Sequence, residues 1–298
     1  GLSAQGAVQA TGSGENSADA AFTQVARVQV GDAWLENQTF VVIGLESFTD
    51  VEGKPITGIV GYEIFKRFVV DLDYENSRIT LIEPNGFAYR GRGVRVSMDL
   101  NDRTPEVMGE IDGIPGKFSL DTGSRSTLDL MAPYVAKHDL VRRYGAKYQG
   151  VTGWGVGGPA RSWVVRGKKF SLGDVSVDAP VVELSQAKAG SFSDAYRAGN
   201  VGAGILKKFN IVWDYARHQI FFEKNKHHDQ RDVFDRAGFW INLGDGVFDV
   251  VDVIAGAPAE QAGLKVGDRV VAVNGKKASS EITLPDVRLL KQAPAGTN

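Results

Sequence analysis

The chain has no cysteine. That absence removes a disulfide framework, a thiol nucleophile and a cysteine-ligated metal together. Histidine is scarce, at four residues. None of His138, His218, His227 and His228 stands in a metal-binding spacing such as H-E-x-x-H, so no metal site and no cofactor is expected. Gly-x-Ser-x-Gly and P-loop patterns are missing as well. No apolar run approaches the roughly 18 residues that span a bilayer. Neither sign of charge dominates: 34 basic residues face 36 acidic ones, a formal net charge of −2, which leaves no basic field for nucleic acid. The first residues, Gly1-Leu2-Ser3-Ala4, include neither an initiator methionine nor a signal region, so the chain is expected to begin inside a longer product.

What is present suits a globular protein with real cores: 298 residues, 43% of them apolar and 23% charged. Self-comparison shows a repeat. Thr11-Gly12-Ser13-Gly14 returns as Thr152-Gly153-Trp154-Gly155, an offset of 152 − 11 = 141. Ile64-Phe65-Lys66-Arg67-Phe68 returns as Ile205-Leu206-Lys207-Lys208-Phe209, and Asp73-Tyr74 as Asp214-Tyr215, at the same offset. Val28–Asp32 matches Phe170–Asp174 one residue out of step. A duplicated unit is the reading.

Each unit is mostly β, with short apolar or alternating runs bounded by Gly, Asn, Asp or Pro: Phe40–Ile43, Phe68–Leu72, Arg78–Ile82, Val94–Met98, Val107–Ile111, Trp163–Val165, Ile211–Trp213 and Gln219–Glu223. Short helices are expected at Ile64–Lys66, Met131–His138 and Ile205–Lys207. Asp73 and Asp214 sit at equivalent turns and read as structural. The polar stretch Lys224–Arg231 marks a boundary. Beyond it come strands at Phe239–Ile241 and Val247–Ile254, a helix near Ala257–Leu264, a Val266–Asn274 strand region and a helix over Leu284–Leu290. The expected fold class is mainly β, with three domains: an incomplete first lobe over 1–90, a second lobe over 91–223 and a small α+β domain over 235–298.

The main chemical signal is an apolar strand ending in Leu120-Asp121-Thr122-Gly123-Ser124. Hydrolysis of a peptide without metal or covalent intermediate needs one water activated and one leaving amine protonated. Two carboxyl groups sharing a proton do both, because like charges held close cannot both ionise. Asp121 supplies one carboxylate, Thr122 a hydroxyl that can tie the loop to a facing loop, and Gly123 a backbone N–H free to support the carboxylate. Applying the offset to Asp121 gives 121 − 141 = −20, so a second aspartate is expected upstream of Gly1 or from a second subunit.

Asp121-Thr122-Gly123-Ser124, then Val151-Thr152-Gly153-Trp154-Gly155, then Asn200-Val201-Gly202 resembles a lobe of the retropepsin and pepsin family. In the first repeat, Thr11–Gly14 and Ile59-Val60-Gly61 resemble the second and third segments. The resemblance covers about Gly1 to Glu223. It implies Asp121, Thr122 and Gly123 as catalytic residues and Gly153, Trp154 and Gly155 as a flap over an extended peptide substrate. Gly153–Gly158 also satisfies G-x-G-x-x-G, but a strand rather than a helix is expected after it, so nucleotide binding is set aside.

The stretch Ala257–Asp268 with Val273-Asn274-Gly275 resembles a bacterial PDZ domain, which implies peptide binding by strand addition. Leu243, Gly244, Asp245 and Gly246 are then the expected peptide-end loop, before a binding strand at Val247–Ile254. Tandem lobes followed by such a domain resemble exported bacterial aspartyl proteases, which implies a periplasmic location. An inactive peptide-binding or scaffolding protein with the same cleft is the alternative, and a homodimer is open.

Overall fold

The computed structural model describes residues 3–101, 103–294 and 296–297. The chain is mainly β, as expected. Its opening third holds β1 (Gln5–Ala10), β2 (Ala18–Val30), β3 (Ala33–Ile43), helices α1 (Glu46–Glu52) and α2 (Tyr62–Phe65), β4 (Val69–Asp73) and β5 (Arg78–Ile82). Then follow β6 (Val94–Ser97), β7 (Asp99–Asn101), β8 (Thr104–Ile111), β9 (Ile114–Leu120), β10 (Leu128–Leu130), α3 (Ala132–Lys137) and α4 (Leu140–Arg143). Next come β11 (Tyr148–Gly155), β12 (Gly158–Arg166), β13 (Lys169–Leu172), β14 (Val175–Asp178), β15 (Val181–Ser185), β16 (Gly199–Val201), α5 (Ala203–Leu206), β17 (Phe209–Asp214) and β18 (Gln219–Lys224). The last part carries β19 (Phe239–Leu243), β20 (Phe248–Val253), α6 (Pro258–Gln261), β21 (Arg269–Val270), β22 (Ala272–Val273), β23 (Lys276–Lys277) and α7 (Leu284–Leu290).

The repeat is visible in space. Helix α2 spans Tyr62–Phe65 and α5 spans Ala203–Leu206, the same element displaced by 203 − 62 = 141 residues. Strands β4 and β17 lie side by side, antiparallel, with Leu72 opposite Ile211 and Val70 opposite Trp213. The central pair is Asp71 and Val212, again 212 − 71 = 141 apart. A strand that pairs antiparallel with its own copy, centred on equivalent residues, lies on a local two-fold axis. The equivalent strands β5 and β18 flank this pair, and β6 adds to the β18 side, in the order β5-β4-β17-β18-β6. Burial of Val70, Leu72, Ile211 and Trp213 on one face fixes the register of this sheet, since a one-residue slip would turn that set to the other face.

Around the second copy a larger sheet runs β11-β12-β15-β10-β16-β9-β8-β13-β14. Its middle is unusual in connectivity: β16 lies between β9 and β10, parallel to the first and antiparallel to the second. The chain must therefore leave β9, pass over the end of β16 and return as β10. The crossing segment is 121–127. Beneath it an apolar core is built from Phe118, Leu128, Leu130, Phe170, Leu184, Val201 and Leu206, among others. A separate core of Ile241, Phe248, Val250, Ile282, Leu284 and Val287 holds the C-terminal part together.

Helices α1 and α4 lie in stretches where no helix was expected. α1 ends at Gly53 in the left-handed conformation, φ 69°, which glycine adopts at little cost. Asp214 takes the structural part read for it, accepting a hydrogen bond from the Arg217 N–H at 3.2 Å. Asp73 likewise accepts from the Asn76 N–H at 3.0 Å.

Candidate active site

The crossing segment is fastened from below by backbone hydrogen bonds. Asp121 N–H donates to the Val201 carbonyl at 2.9 Å, Ala203 N–H to the Ser124 carbonyl at 2.8 Å, and Gly204 N–H to the Ser126 carbonyl at 2.9 Å. The approach needs glycine at 202, where a Cβ would stand 2.3 Å from the Ser126 carbonyl oxygen. Asn200-Val201-Gly202 thus sits under the Asp121 loop.

Asp121, Thr122 and Gly123 are exposed at the loop's crest, and all three line a cleft of about 720 Å³. Gly123 N–H donates to Asp121 Oδ1 at 2.8 Å, the support expected of that glycine. Among the described residues Thr122 makes no side-chain hydrogen bond, so no tie to a facing loop is made among them. Strands β11 and β12 form a hairpin whose end, Gly153-Trp154-Gly155, lines the same cleft. Trp154 Nε1 is buried there without a hydrogen-bond partner. A strand follows Gly158, as expected, so the glycine pattern opens no helix.

The first-repeat segment meets this hairpin at its tip. Gly14 N–H donates to the Val156 carbonyl at 3.0 Å, and the Asn16 amide to the Gly157 carbonyl at 3.2 Å. Asn16 and Gly157 are themselves 141 residues apart, so equivalent tips close over the cleft on one axis. The far wall is aromatic: Tyr62, Phe65, Trp213 and Tyr215 line it, with Phe65 edge-on to Trp213 at 5.8 Å. Tyr74 feels the Asp121 charge, and burial chiefly, with that carboxylate, pushes its hydroxyl up to about 12.

The C-terminal part supplies a third wall through Phe239, Trp240, Ile241, Arg288 and Lys291. Its Asp252, buried, accepts from the Val151 N–H at 2.7 Å and from Arg161 at 2.8 Å, gripping the base of the hairpin. Glu52 at the end of α1 pairs with Arg125, four residues after Asp121, at 3.2 Å and with Arg288 of α7 at 3.3 Å. Burial and the nearby Arg125 charge bring Arg288 down to about 10.

The expected peptide-end loop is placed differently. Leu243 ends β19, and Gly244, Asp245 and Gly246 form the turn into β20. Gly244 N–H is spent on the Val247 carbonyl at 2.9 Å and Gly246 N–H on the Gly244 carbonyl at 2.8 Å. Strand β20 pairs with β19 along its length and with β21 through Phe248 and Asp249, so the start of the expected binding strand, next to the loop, is already occupied. β19 pairs with a strand on one side only, and helix α1 lies against it.

The sequence reading missed a row of buried polar residues across the large sheet. Glu106, Ser119, Asn200, Asp129 and Glu183 stand opposite one another on β8, β9, β16, β10 and β15. All are buried, and all but Glu106 line the cleft. The available signal was a lone carboxylate inside an otherwise apolar strand, Leu128-Asp129-Leu130 and Val181-Val182-Glu183-Leu184. Among the described residues no cluster of His, Asp and Glu could hold a metal ion, and no helix is long and apolar enough to cross a membrane.

Compared with known proteins, the chain matches no curated protein. Among solved structures it is similar to a retropepsin-like aspartic protease from Rickettsia conorii, with 14% identity over 46% of this chain and 97% of that one and a TM-score of 0.33. Residues 250–298 match the family described as PDZ domain. The chain is thus a mainly β protein that carries a PDZ domain at residues 250–298.

Proposed function

We propose that this protein is an aspartic endopeptidase acting on extended peptides. The observation that carries the reading is Asp121 at the crest of a backbone-fastened loop, facing a cleft roofed by a glycine-rich hairpin. In this reading the Asp121 carboxylate takes a proton from water, which attacks the scissile carbonyl. A partner carboxyl group protonates the leaving amine, and the pair shares one proton between turnovers. The partner aspartate comes from residues preceding Gly1 or from a second subunit, and the two halves, 1–90 and 91–223, act as the paired lobes. Gly153, Trp154 and Gly155 cover the substrate, with Trp154 Nε1 as an unused donor for a peptide carbonyl. The PDZ domain at 235–298 binds a peptide at the β19 edge by strand addition, and the protein works in the periplasm.

Asp121→Asn is the test, because it keeps the loop's shape and removes the base. Loss of peptide cleavage at acid pH supports the reading. Peptide binding without cleavage by the wild-type protein would favour a holding function instead.

A further inference from the structure

Behind the Asp121 loop lies a pair of carboxyl groups that the proposed reaction leaves unused. Asp129 and Glu183 are Cα partners on the adjacent parallel strands β10 and β15, so their side chains leave the same face of the sheet. Asp129 is 4% exposed and Glu183 2%. Two carboxylates this close and this dry cannot both be ionised.

Hydrogen-bond polarity says where the proton stays. Ser119 Oγ donates to Asn200 Oδ1 at 2.8 Å, which leaves the Asn200 amide nitrogen facing Asp129, its cross-strand partner. Ser126 donates its single hydroxyl proton to Asp129. Ser124 Oγ, 2.8 Å from Ser126 Oγ, must then be the donor of that pair. Asp129 is therefore an acceptor on every side. Glu183 Oε2 is buried and has no N–H or O–H donor, as suits an oxygen that itself carries the proton and turns it toward Asp129.

We infer that Asp129 and Glu183 share one proton and act as positioning residues for Asp121, the shared proton holding segment 121–127 onto its strands and its loss setting an alkaline limit to the cleft. The positioning role rests on the peptidase reading; the shared proton does not. The link runs through Ser126 and Ser124 to the loop, where Ser124 N–H donates to the Asp121 carbonyl at 3.3 Å.

The electrostatics agree. Burial raises both carboxyl groups, and for Glu183 the Asp129 charge and hydrogen bond raise it further, well above the ordinary 4.5. The other charges acting on the pair are Asp121 on Asp129 and Asp232 on Glu183, both of the same sign. Facing neutral groups are Ser126 on the loop, Asn200 on β16 and Thr152 on β11. A carboxyl group whose folded value is raised binds its proton more tightly in the folded state. Its contribution is complete below about 4.5 and is lost as pH rises toward the folded value.

The test is thermal unfolding of the full chain between pH 4 and 8 for wild type, Glu183→Gln and Asp121→Asn. Glutamine keeps a donor toward Asp129 at every pH. The wild type and Asp121→Asn should lose stability as pH rises, and Glu183→Gln should lose clearly less. Should Glu183→Gln fail to fold, carboxyl ¹³C titration of the wild type replaces it: a glutamate titrating well above 4.5 is expected, and its absence overturns the inference. An unchanged slope in folded Glu183→Gln overturns it too. For positioning, kcat should persist to higher pH in Glu183→Gln with KM little changed, and an identical kcat profile contradicts that role. A persistent stability slope in a wild type that cleaves nothing even with its partner aspartate supplied would instead sink the peptidase reading and leave the shared proton standing.

Discussion

At the scale of single residues, the loop chemistry depends on atoms placed within a few tenths of an ångström. A Cβ at Gly123 would stand 3.2 Å from Asp121 Oδ1, tighter than ordinary packing tolerates. Gly123→Ala should therefore disturb the carboxylate and lower kcat/KM by about tenfold, an effect of roughly 1.4 kcal/mol, measurable in a peptide-cleavage assay. Trp154 makes a different prediction. Its indole N–H is buried without a partner, so Trp154→Phe should raise KM roughly 2- to 10-fold through one lost hydrogen bond while leaving kcat nearly unchanged. A fall in kcat alone would place Trp154 in packing. Asp121, Gly123 and Trp154 could be picked out from the sequence because each stands in a short pattern whose chemistry is local. Asp129 and Glu183 could not be paired that way: they are 183 − 129 = 54 residues apart and meet only because β10 and β15 are neighbours.

At the scale of elements, the hairpin β11–β12 is held at its tip by residues 14–16 and at its base by Asp252 of β20. Removing the Asp252 carboxylate strands the Val151 N–H in a buried place, a loss of about 1–3 kcal/mol. Asp252→Ala should accordingly speed amide exchange at Val151 by roughly tenfold or more, while amides of β17, on the opposite sheet, keep their protection. Equal exchange at Val151 would mean the PDZ domain does not brace the hairpin. Elements with plain alternation or a full apolar run, such as Arg78–Ile82 and Leu284–Leu290, were readable residue by residue. Helices α1 and α4 were not. α1 has no side-chain cap and a single buried residue, Val51, so its position comes from tertiary packing rather than from its own pattern. The PDZ loop shows the same limit: which strand has a neighbour on both sides is a property of the sheet, and the β19-β20-β21 order is not written in the sequence of β20 itself.

At the scale of the whole molecule, a repeat folded about a local axis makes one cleft from two copies, and a third part adds a wall to it. The 141-residue offset was legible in the sequence, and the strand pairing centred on Asp71 and Val212 gives its physical meaning. Glu52 ties all three parts together through Arg125 and Arg288. Because those ion pairs are partly exposed, they are individually weak, and about a few tenths to 1 kcal/mol each is expected. Glu52→Gln should then leave global unfolding nearly unchanged yet make cleavage less dependent on salt, checked by rate measurements from low to high ionic strength.

In the proposed reaction the carboxylate at position 121 performs the hydrolysis. The most direct measurement compares peptide cleavage at acid pH by the full-length protein and its Asp121→Asn variant, with both shown to be folded. Asp121→Asn should lose at least about a hundredfold in kcat. Equal rates for the two proteins would contradict that role.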